Sequence, residues 1–373
     1  MAGSFLFAGG GSGGHISPGL AVAERLQTLD PDATCHFICS ERAIDRKMID
    51  EVGMTFDTMP ACGLGRTPTR MLDWYRRHRA TTAATRALLQ ARRFDLVLTL
   101  GGFVAAPVAK AATHEDVPVY LLNLDRVPGK ANRTIAARTP HRLSAVEPIR
   151  GRGTWDVVGM PIRASAMAPG TSQDCKAALG LDADRKVLLL TGASQGARTL
   201  NQALPRIALE RPDTFRGWQV LHLCGDDTDI AALRDAWTRT GVPAHVIGFL
   251  HEMGTAWGAA DACISRAGAS SVAEVHANTV PTIFLPYPFH RDDHQRLNAE
   301  PLVDAGGAAM VTDEIDLDRT TVTLGDAVTT LLGSAEVRDS MQSILKQRAW
   351  IDAAEVIARR MLAAASENSA APA

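Results

Sequence analysis

The chain has 373 residues, 46% of them hydrophobic, with a formal net charge of −2 and a pI near 6.6. That length suits two domains of ordinary size, each able to bury its own core. The near-neutral balance offers no general attraction to nucleic acid, and no run of about 18 apolar residues exists to span a membrane.

The first predicted element is a short buried strand over residues 5–8 (Phe-Leu-Phe-Ala). It begins so early that no leader peptide is expected. A glycine-rich turn follows, Gly9-Gly-Gly-Ser12-Gly13-Gly14-His15. Ser17 then fits an N-cap and Pro18 a first helical position. Leu20, Ala23, Leu26 and Leu29 supply an apolar helical stripe. His15 is thus expected just ahead of the helix. A glycine turn at a helix N-terminus turns its N–H groups toward an anionic or strongly polar ligand. Gly9, Gly11 and Gly14 also satisfy G-x-G-x-x-G, and Glu41 follows the next apolar run as a dinucleotide ribose would require. An NAD-dependent oxidoreductase therefore stays open at this point.

Further strands are predicted at 35–39, 96–100, 117–122, 143–146 and 156–158. In the second half they fall at 187–191, 219–224, 245–247, 262–265, 282–285 and 308–311. Continuous apolar strands alternating with helices predict parallel sheets covered on both faces. The expected organisation is an N-terminal domain over 1–160 and a C-terminal domain over 161–340, facing a cleft. A closing helix over 341–366 and a frayed tail over 367–373 complete it. Six scattered cysteines form no C-x-x-C pair and read as buried thiols, as in a reducing compartment.

Three stretches in the second half carry chemistry. Thr191-Gly192-Ala193-Ser194-Gln195-Gly196 is a second glycine turn after a strand. It lacks the Gly-Lys-Ser/Thr ending of a P-loop, yet offers amides and a hydroxyl to a diphosphate. Ser265-Arg266-Ala-Gly268-Ala269-Ser270-Ser271 leads into a helix with Glu274 one turn in. A carboxylate there can accept hydrogen bonds from both hydroxyls of a ribose. Finally, Pro286 to Ala299 gathers Asp293, His294, Gln295 and Asn298 after an apolar strand, where α/β sheets place ligands. His290, Asp292 and His294 could be read as metal ligands, but polar turn residues are the simpler reading. The Asp-x-Asp pairs at 30/32, 182/184, 227/229 and 316/318 likewise read as turn carboxylates rather than a metal–sugar site.

Gly9–His15, Gly192–Ala197, Arg266–Glu274 and Asp293-His-Gln-x-x-Asn298-Ala, taken in order, resemble the MurG-type glycosyltransferases. These add N-acetylglucosamine to the undecaprenyl-linked muramyl peptide of peptidoglycan synthesis. The resemblance spans about Phe5 to Val311. It implies an α/β fold of the GT-B type, with two Rossmann-like domains, and no cofactor or metal. It also implies that the C-terminal domain holds UDP-N-acetylglucosamine. Gly192, Ser194 and Arg163 would meet the diphosphate, and backbone around Phe249-Leu250 the uracil. Glu274 would hold the ribose, while Ala269, Ser270 and Ser271, with His294 and Gln295, would lie against the sugar region. Ser12, Gly13, Gly14 and His15 would face the acceptor and the reacting carbon. Beside a helix N-terminus, His15 would be kept neutral, the form a general base requires. Asp125 is the second candidate base and donor contact.

The chain departs from the family pattern in three places. Leu122-Asn123-Leu124-Asp125 stands where His-Glu-Gln-Asn is usual, Phe103 replaces a Tyr, and Met160 replaces an Asn. All three fall in the first domain or the linker, so the acceptor side is less family-like. A transferase of the same fold with another lipid or natural-product acceptor is the first alternative, the NAD-dependent oxidoreductase the second, and a non-catalytic nucleotide-sugar binder the third.

Between Leu64 and Phe94 arginines dominate and Asp73 is the only acid. Met71, Leu72, Trp74 and Tyr75 interleave with the first arginines, between Arg70 and the pair Arg76 and Arg77. Such a segment can set apolar groups at a lipid boundary while guanidinium groups meet anionic head groups. With a lipid-linked acceptor implied, peripheral attachment to the cytoplasmic face of the membrane is expected.

Overall fold

The computed structural model describes the chain except residues 1–2, 12, 66, 150–152, 193–197, 226–227, 290–292, 349 and 371–373, and the side chains of 368–370. The chain divides into two units, Met1–Arg163 with Ile351–Ala373, and Ala164–Trp350.

The first unit runs β1 (Ser4–Ala8), α1 (Gly13–Leu29), β2 (Thr34–Ser40), α2 (Ala43–Asp50), β3 (Thr55–Met59), α3 (Pro68–Ala91) and β4 (Leu96–Thr99). It continues α4 (Gly102–His114), β5 (Val119–Asn123), α5 (Lys130–Ala136), β6 (Arg142–Ser144) and β7 (Asp156–Val157). All strand pairs are parallel, in the order β3-β2-β1-β4-β5-β6-β7. Leu6 and Ala8 of β1 enter a core with Val97, Val104 and Val108. Phe7 points to the other face and stacks on Phe37 at 4.7 Å. One edge strand, β3, has no counterpart among the predicted ones. Its sequence Thr-Phe-Asp-Thr-Met is largely exposed, so it carries no apolar run.

The second unit runs α6 (Ser172–Ala178), β8 (Lys186–Thr191), α7 (Arg198–Glu210), β9 (Trp218–Leu223), α8 (Ile230–Thr240), β10 (Ala244–Ile247) and α9 (Met253–Ala259). Then come β11 (Ala262–Ser265), α10 (Ala269–Asn278), β12 (Thr282–Phe284), α11 (His294–Asp304), β13 (Ala308–Met310), α12 (Leu317–Gly333) and α13 (Ala335–Gln347). Its strands are also parallel, ordered β10-β9-β8-β11-β12-β13. Leu188 and Leu190 of β8 face one core, and Val187 and Leu189 the other. This two-sided burial is why the strands read as unbroken apolar runs.

A last helix, α14 (Ala353–Ala370), belongs to the first unit and packs on α1. Ile357, Ala358 and Met361 are fully buried. Asp352 caps it by accepting from the Glu355 amide and pairs with Arg25 of α1 at 2.6 Å. The alanine-rich stretch from about Ala335 to Ala365, which reads as one or two closing helices, forms α13 and α14, and these belong to different units. Helix continues to Ala370, through most of the expected tail.

α1 also starts earlier than expected, at Gly13. His15 consequently lies in its first turn, with Ser17 and Pro18 inside the helix. Pro18 has no N–H for the Gly14 carbonyl and its ring crowds that carbonyl, so the second turn of α1 carries a local cost.

Candidate functional site

In both units the strand order reverses beside the first strand. Ligands of open α/β sheets bind at the carboxyl ends of the strands flanking such a switch point.

In the first unit the flanking strands are β1 and β4. The Gly9–Gly11 turn follows β1, and Gly101–Gly102 follow β4. Gly101 and Gly102 adopt φ of +98° and +78°. The space beside them is taken: a Cβ on Gly102 would lie 2.0 Å from the Gly10 carbonyl oxygen. A Cβ on Gly101 would lie 3.2 Å from His15 Cδ2 and 3.0 Å from Asn132 Oδ1. His15 and Asn132 therefore meet over this glycine. Behind them is a buried polar network that the sequence reading missed. Asn132 Nδ2 donates to Asn123 Oδ1 at 3.2 Å, and Asn123 Nδ2 donates to Ser144 Oγ at 3.0 Å and to the Asp125 carbonyl at 2.7 Å. In the departed stretch, Leu122 and Leu124 are core residues and Asn123 belongs to this network. Asp125 alone of the four is partly exposed. Phe103, 42% exposed, covers the turn near Gly11.

In the second unit the flanking strands are β8 and β11. Gly192 follows β8; Ser194 and Gln195 lie outside the described residues, as does Ser12 of the first glycine turn. After β11, Gly268 is the N-cap of α10. The amides of Ala269, Ser270 and Ser271 in its first turn have no helical acceptor, so they can serve an anionic or polar ligand. Glu274 lies farther along α10, partly buried, with Oε2 accepting the Trp257 indole N–H at 2.9 Å. Burial pushes its carboxyl up to about 7, opposed by that hydrogen bond. Phe249 and Leu250 follow β10, with Phe249 edge-on to His251. Leu250 packs partly buried against the core. His294 and Gln295 open α11, and Gln295 Oε1 accepts the Tyr287 amide at 2.9 Å.

Arg266 holds these loops together. Nη1 donates to the Leu285 carbonyl at 2.9 Å, to Pro286 at 3.3 Å and to Asp313 Oδ2 at 2.9 Å. Both side chains of the ion pair are buried. Arg266 thus ties the ends of β11, β12 and β13 into one surface. Arg163, expected near a diphosphate, belongs to the first unit and pairs with Glu24 of α1 at 2.9 Å.

Among the described residues no group of three or more His, Cys, Asp or Glu side chains could hold a metal. His290 and Asp292 lie outside them. Asp229 and Asp316 act as N-caps of α8 and α12, and Asp30 and Asp182 close turns onto Asp32 and Asp184. Five of the six cysteines are buried free thiols, and Cys62 is half-buried.

Residues 5–142 match the N-terminal domain of glycosyltransferase family 28, and residues 187–357 match its C-terminal domain. A Nocardioides protein named UDP-N-acetylglucosamine–N-acetylmuramyl-(pentapeptide) pyrophosphoryl-undecaprenol N-acetylglucosamine transferase is 37% identical over 363 residues, covering 96% of this chain and 97% of its own. The chain belongs to glycosyltransferase family 28 and is of the MurG type. A Rhodococcus erythropolis protein of the same name is 33% identical over 98% of this chain and 96% of its own. The crystal structure of Acinetobacter baumannii MurG superposes with a TM-score of 0.74 at 22% identity, covering 97% of this chain and 100% of that one. The calicheamicin glycosyltransferase CalG4 superposes with 0.69 at 15% identity, covering 99% and 100%. These likenesses give the fold, GT-B. Both glycine turns lie within family-28 matches, so the oxidoreductase alternative is set aside. Glu41, which it needed, is exposed and 3.8 Å from Arg77.

Proposed function

We propose that this family-28 chain transfers N-acetylglucosamine from UDP-N-acetylglucosamine to the muramyl sugar of an undecaprenyl-pyrophosphoryl-linked peptide. The observation that carries this is the identity, over nearly the whole chain, to a protein whose name states that reaction.

In this reading the donor lies on the second unit. Glu274 accepts the ribose hydroxyls, and backbone near Leu250 reads the uracil. The amides opening α10, with His294 and Gln295, contact the sugar and its phosphates. The diphosphate meets the Gly192–Gln195 turn, while Arg163 is already paired with Glu24 in the first unit. No metal ion is assigned, since backbone amides at helix N-termini stabilise the charge that develops on the leaving diphosphate. His15 takes the proton from the acceptor hydroxyl, whose oxygen attacks the anomeric carbon as the bond to the diphosphate breaks. One direct displacement inverts the centre, so an α-linked donor yields a β-linkage.

A lipid-linked acceptor implies contact with an anionic membrane surface, and this reading sets the contact at α3, on the cytoplasmic face. Its support is the exposed face of that helix: Met71, Leu72 and Tyr75 are each 51% exposed, and Arg76 lies one turn beyond Leu72. Trp74 and Arg77 are half-buried, and Arg77 pairs with Asp73, so they contribute less than the sequence alone suggested. Among the described residues no helix is long and apolar enough to cross a membrane.

Burial of Leu122 and Leu124, where the family pattern has polar residues, favours one rival: the same donor with another lipid or natural-product acceptor. Incubation with radiolabelled donor and lipid-linked muramyl peptide tests both. Label should move into the lipid fraction. Donor binding without transfer to that acceptor would overturn the acceptor assignment in favour of the rival.

A further inference from the structure

Asp45, third residue of α2, is fully buried. Its Oδ2 accepts the Gly11 amide at 2.7 Å and the Ser40 hydroxyl at 2.5 Å. Its Oδ1 has no hydrogen-bond partner among the described residues. A buried carboxylate is costly unless hydrogen bonds satisfy it. Here they fall on the glycine turn. Arg42, the N-cap of α2, donates from Nη1 to the Gly11 carbonyl at 2.6 Å, so both polar groups of Gly11 are held by one short segment.

The glycines of the turn are also closely packed. Gly10 and Gly11 adopt φ of +153° and +93°, which other residues rarely reach. A Cβ on Gly10 would lie 2.6 Å from Asp45 Oδ2, and one on Gly9 2.7 Å from the His15 carbonyl oxygen. From the opposite side Gly102 closes on the Gly10 carbonyl. α1 begins two residues after Gly11, with His15 in its first turn.

We propose that Asp45 is a positioning residue: by gripping the Gly11 amide it fixes the turn and, through it, the place of His15 over Gly101. The proposal rests on His15 being the base. Asp45 touches no substrate in this account. It sets where the imidazole sits, and a shift of about 1 Å there can cost about 10²-fold in rate.

The test compares Asp45→Ala, Asp45→Asn, Arg42→Ala, His15→Ala and the Asp45→Ala/His15→Ala double variant. Measurements are turnover at saturating substrates, donor affinity by titration, and the NMR resonance of the His15 ring. Asp45→Ala should lower kcat about 10²-fold, leave the donor Kd within about twofold and shift the His15 resonance. Asp45→Asn keeps an oxygen for the Gly11 amide, so it should recover most of the rate and the native resonance. The double variant should be no slower than His15→Ala, because both act on one step. Wild-type kcat and an unmoved resonance in Asp45→Ala, beside a slow His15→Ala, would overturn the positioning role and leave the base intact. Normal turnover in His15→Ala would instead overturn the base, while the resonance still reports whether Asp45 holds the turn. Should Asp45→Ala fail to fold, Asp45→Asn and Arg42→Ala carry the test. A native resonance and rate when Arg42 releases the Gly11 carbonyl, together with a slow Asp45→Asn whose resonance is native, would reject the mechanism.

Discussion

If Glu274 accepts the ribose hydroxyls, donor binding must be coupled to a proton. Burial holds its carboxyl at about 7 rather than the ordinary 4.5. At pH 6 roughly one tenth of the free protein then carries the carboxylate, and at pH 8 about nine tenths. The ionised form accepts more strongly from both hydroxyls, so the donor Kd should weaken by up to about tenfold from pH 8 to pH 6. Stability moves the opposite way. The folded-state pKa lies above the unfolded one, so the contribution is complete below pH 4.5 and is lost as pH rises to about 7. That loss is about 3 kcal/mol. UDP-N-acetylglucosamine suits the measurement, because its diphosphate diester does not titrate near neutrality. Calorimetry at pH 6.5, in two buffers of different ionisation enthalpy, should show proton release on binding. Glu274→Gln should abolish the release and flatten the pH dependence of Kd. Unchanged proton release in Glu274→Gln, or none in the wild type, would refute a carboxylate that ionises to hold the ribose.

His15→Ala should leave donor affinity within a few-fold and lower turnover by about 10²–10⁴; near-normal turnover would pass the role to Asp125. Replacing Leu72 and Tyr75 by Ser and Arg76 by Glu should release the protein from vesicles of anionic lipid at low salt while donor binding persists. Equal sedimentation of wild type and variant would exclude α3 as the contact. Asp313→Ala leaves the Arg266 guanidinium buried without its carboxylate and should cost about 3–5 kcal/mol of stability in thermal melts. Arg266→Met added to Asp313→Ala should cost less than the single change, since no buried charge remains.

Among the described residues, twelve of the thirteen strands were legible, most of them because burial on both faces leaves continuous apolar runs, such as 187–191. β3 was not, because an exposed edge strand has no such run. The start of α1 was misplaced because Ser17 and Pro18 form a good local start signal, whereas the glycines before them have no helix preference to read. The ligand ends of both sheets could be found from glycine turns following strands. What polar side chains do there depends on partners distant in sequence. Glu274 meets Trp257 seventeen residues away, Arg266 meets Asp313 forty-seven away, and Gly11 meets Asp45 thirty-four away. No local pattern marks such pairs. Asn123 shows the same limit: read as a departure from a motif, it is the hub of a network joining Asn132 and Ser144.

The return of α14 to the first unit makes that unit discontinuous in the chain. A fragment ending at Arg163 would expose the surface of α1 that Ile357, Ala358 and Met361 otherwise cover, and would strand Arg25 without Asp352. An isolated first unit therefore requires residues 351–370 to be supplied, by a spliced linker or as a separate peptide. The same connectivity orders assembly during synthesis. The second unit, contiguous from Ala164 to Trp350, has its whole sequence available before the unit translated ahead of it receives its last helix.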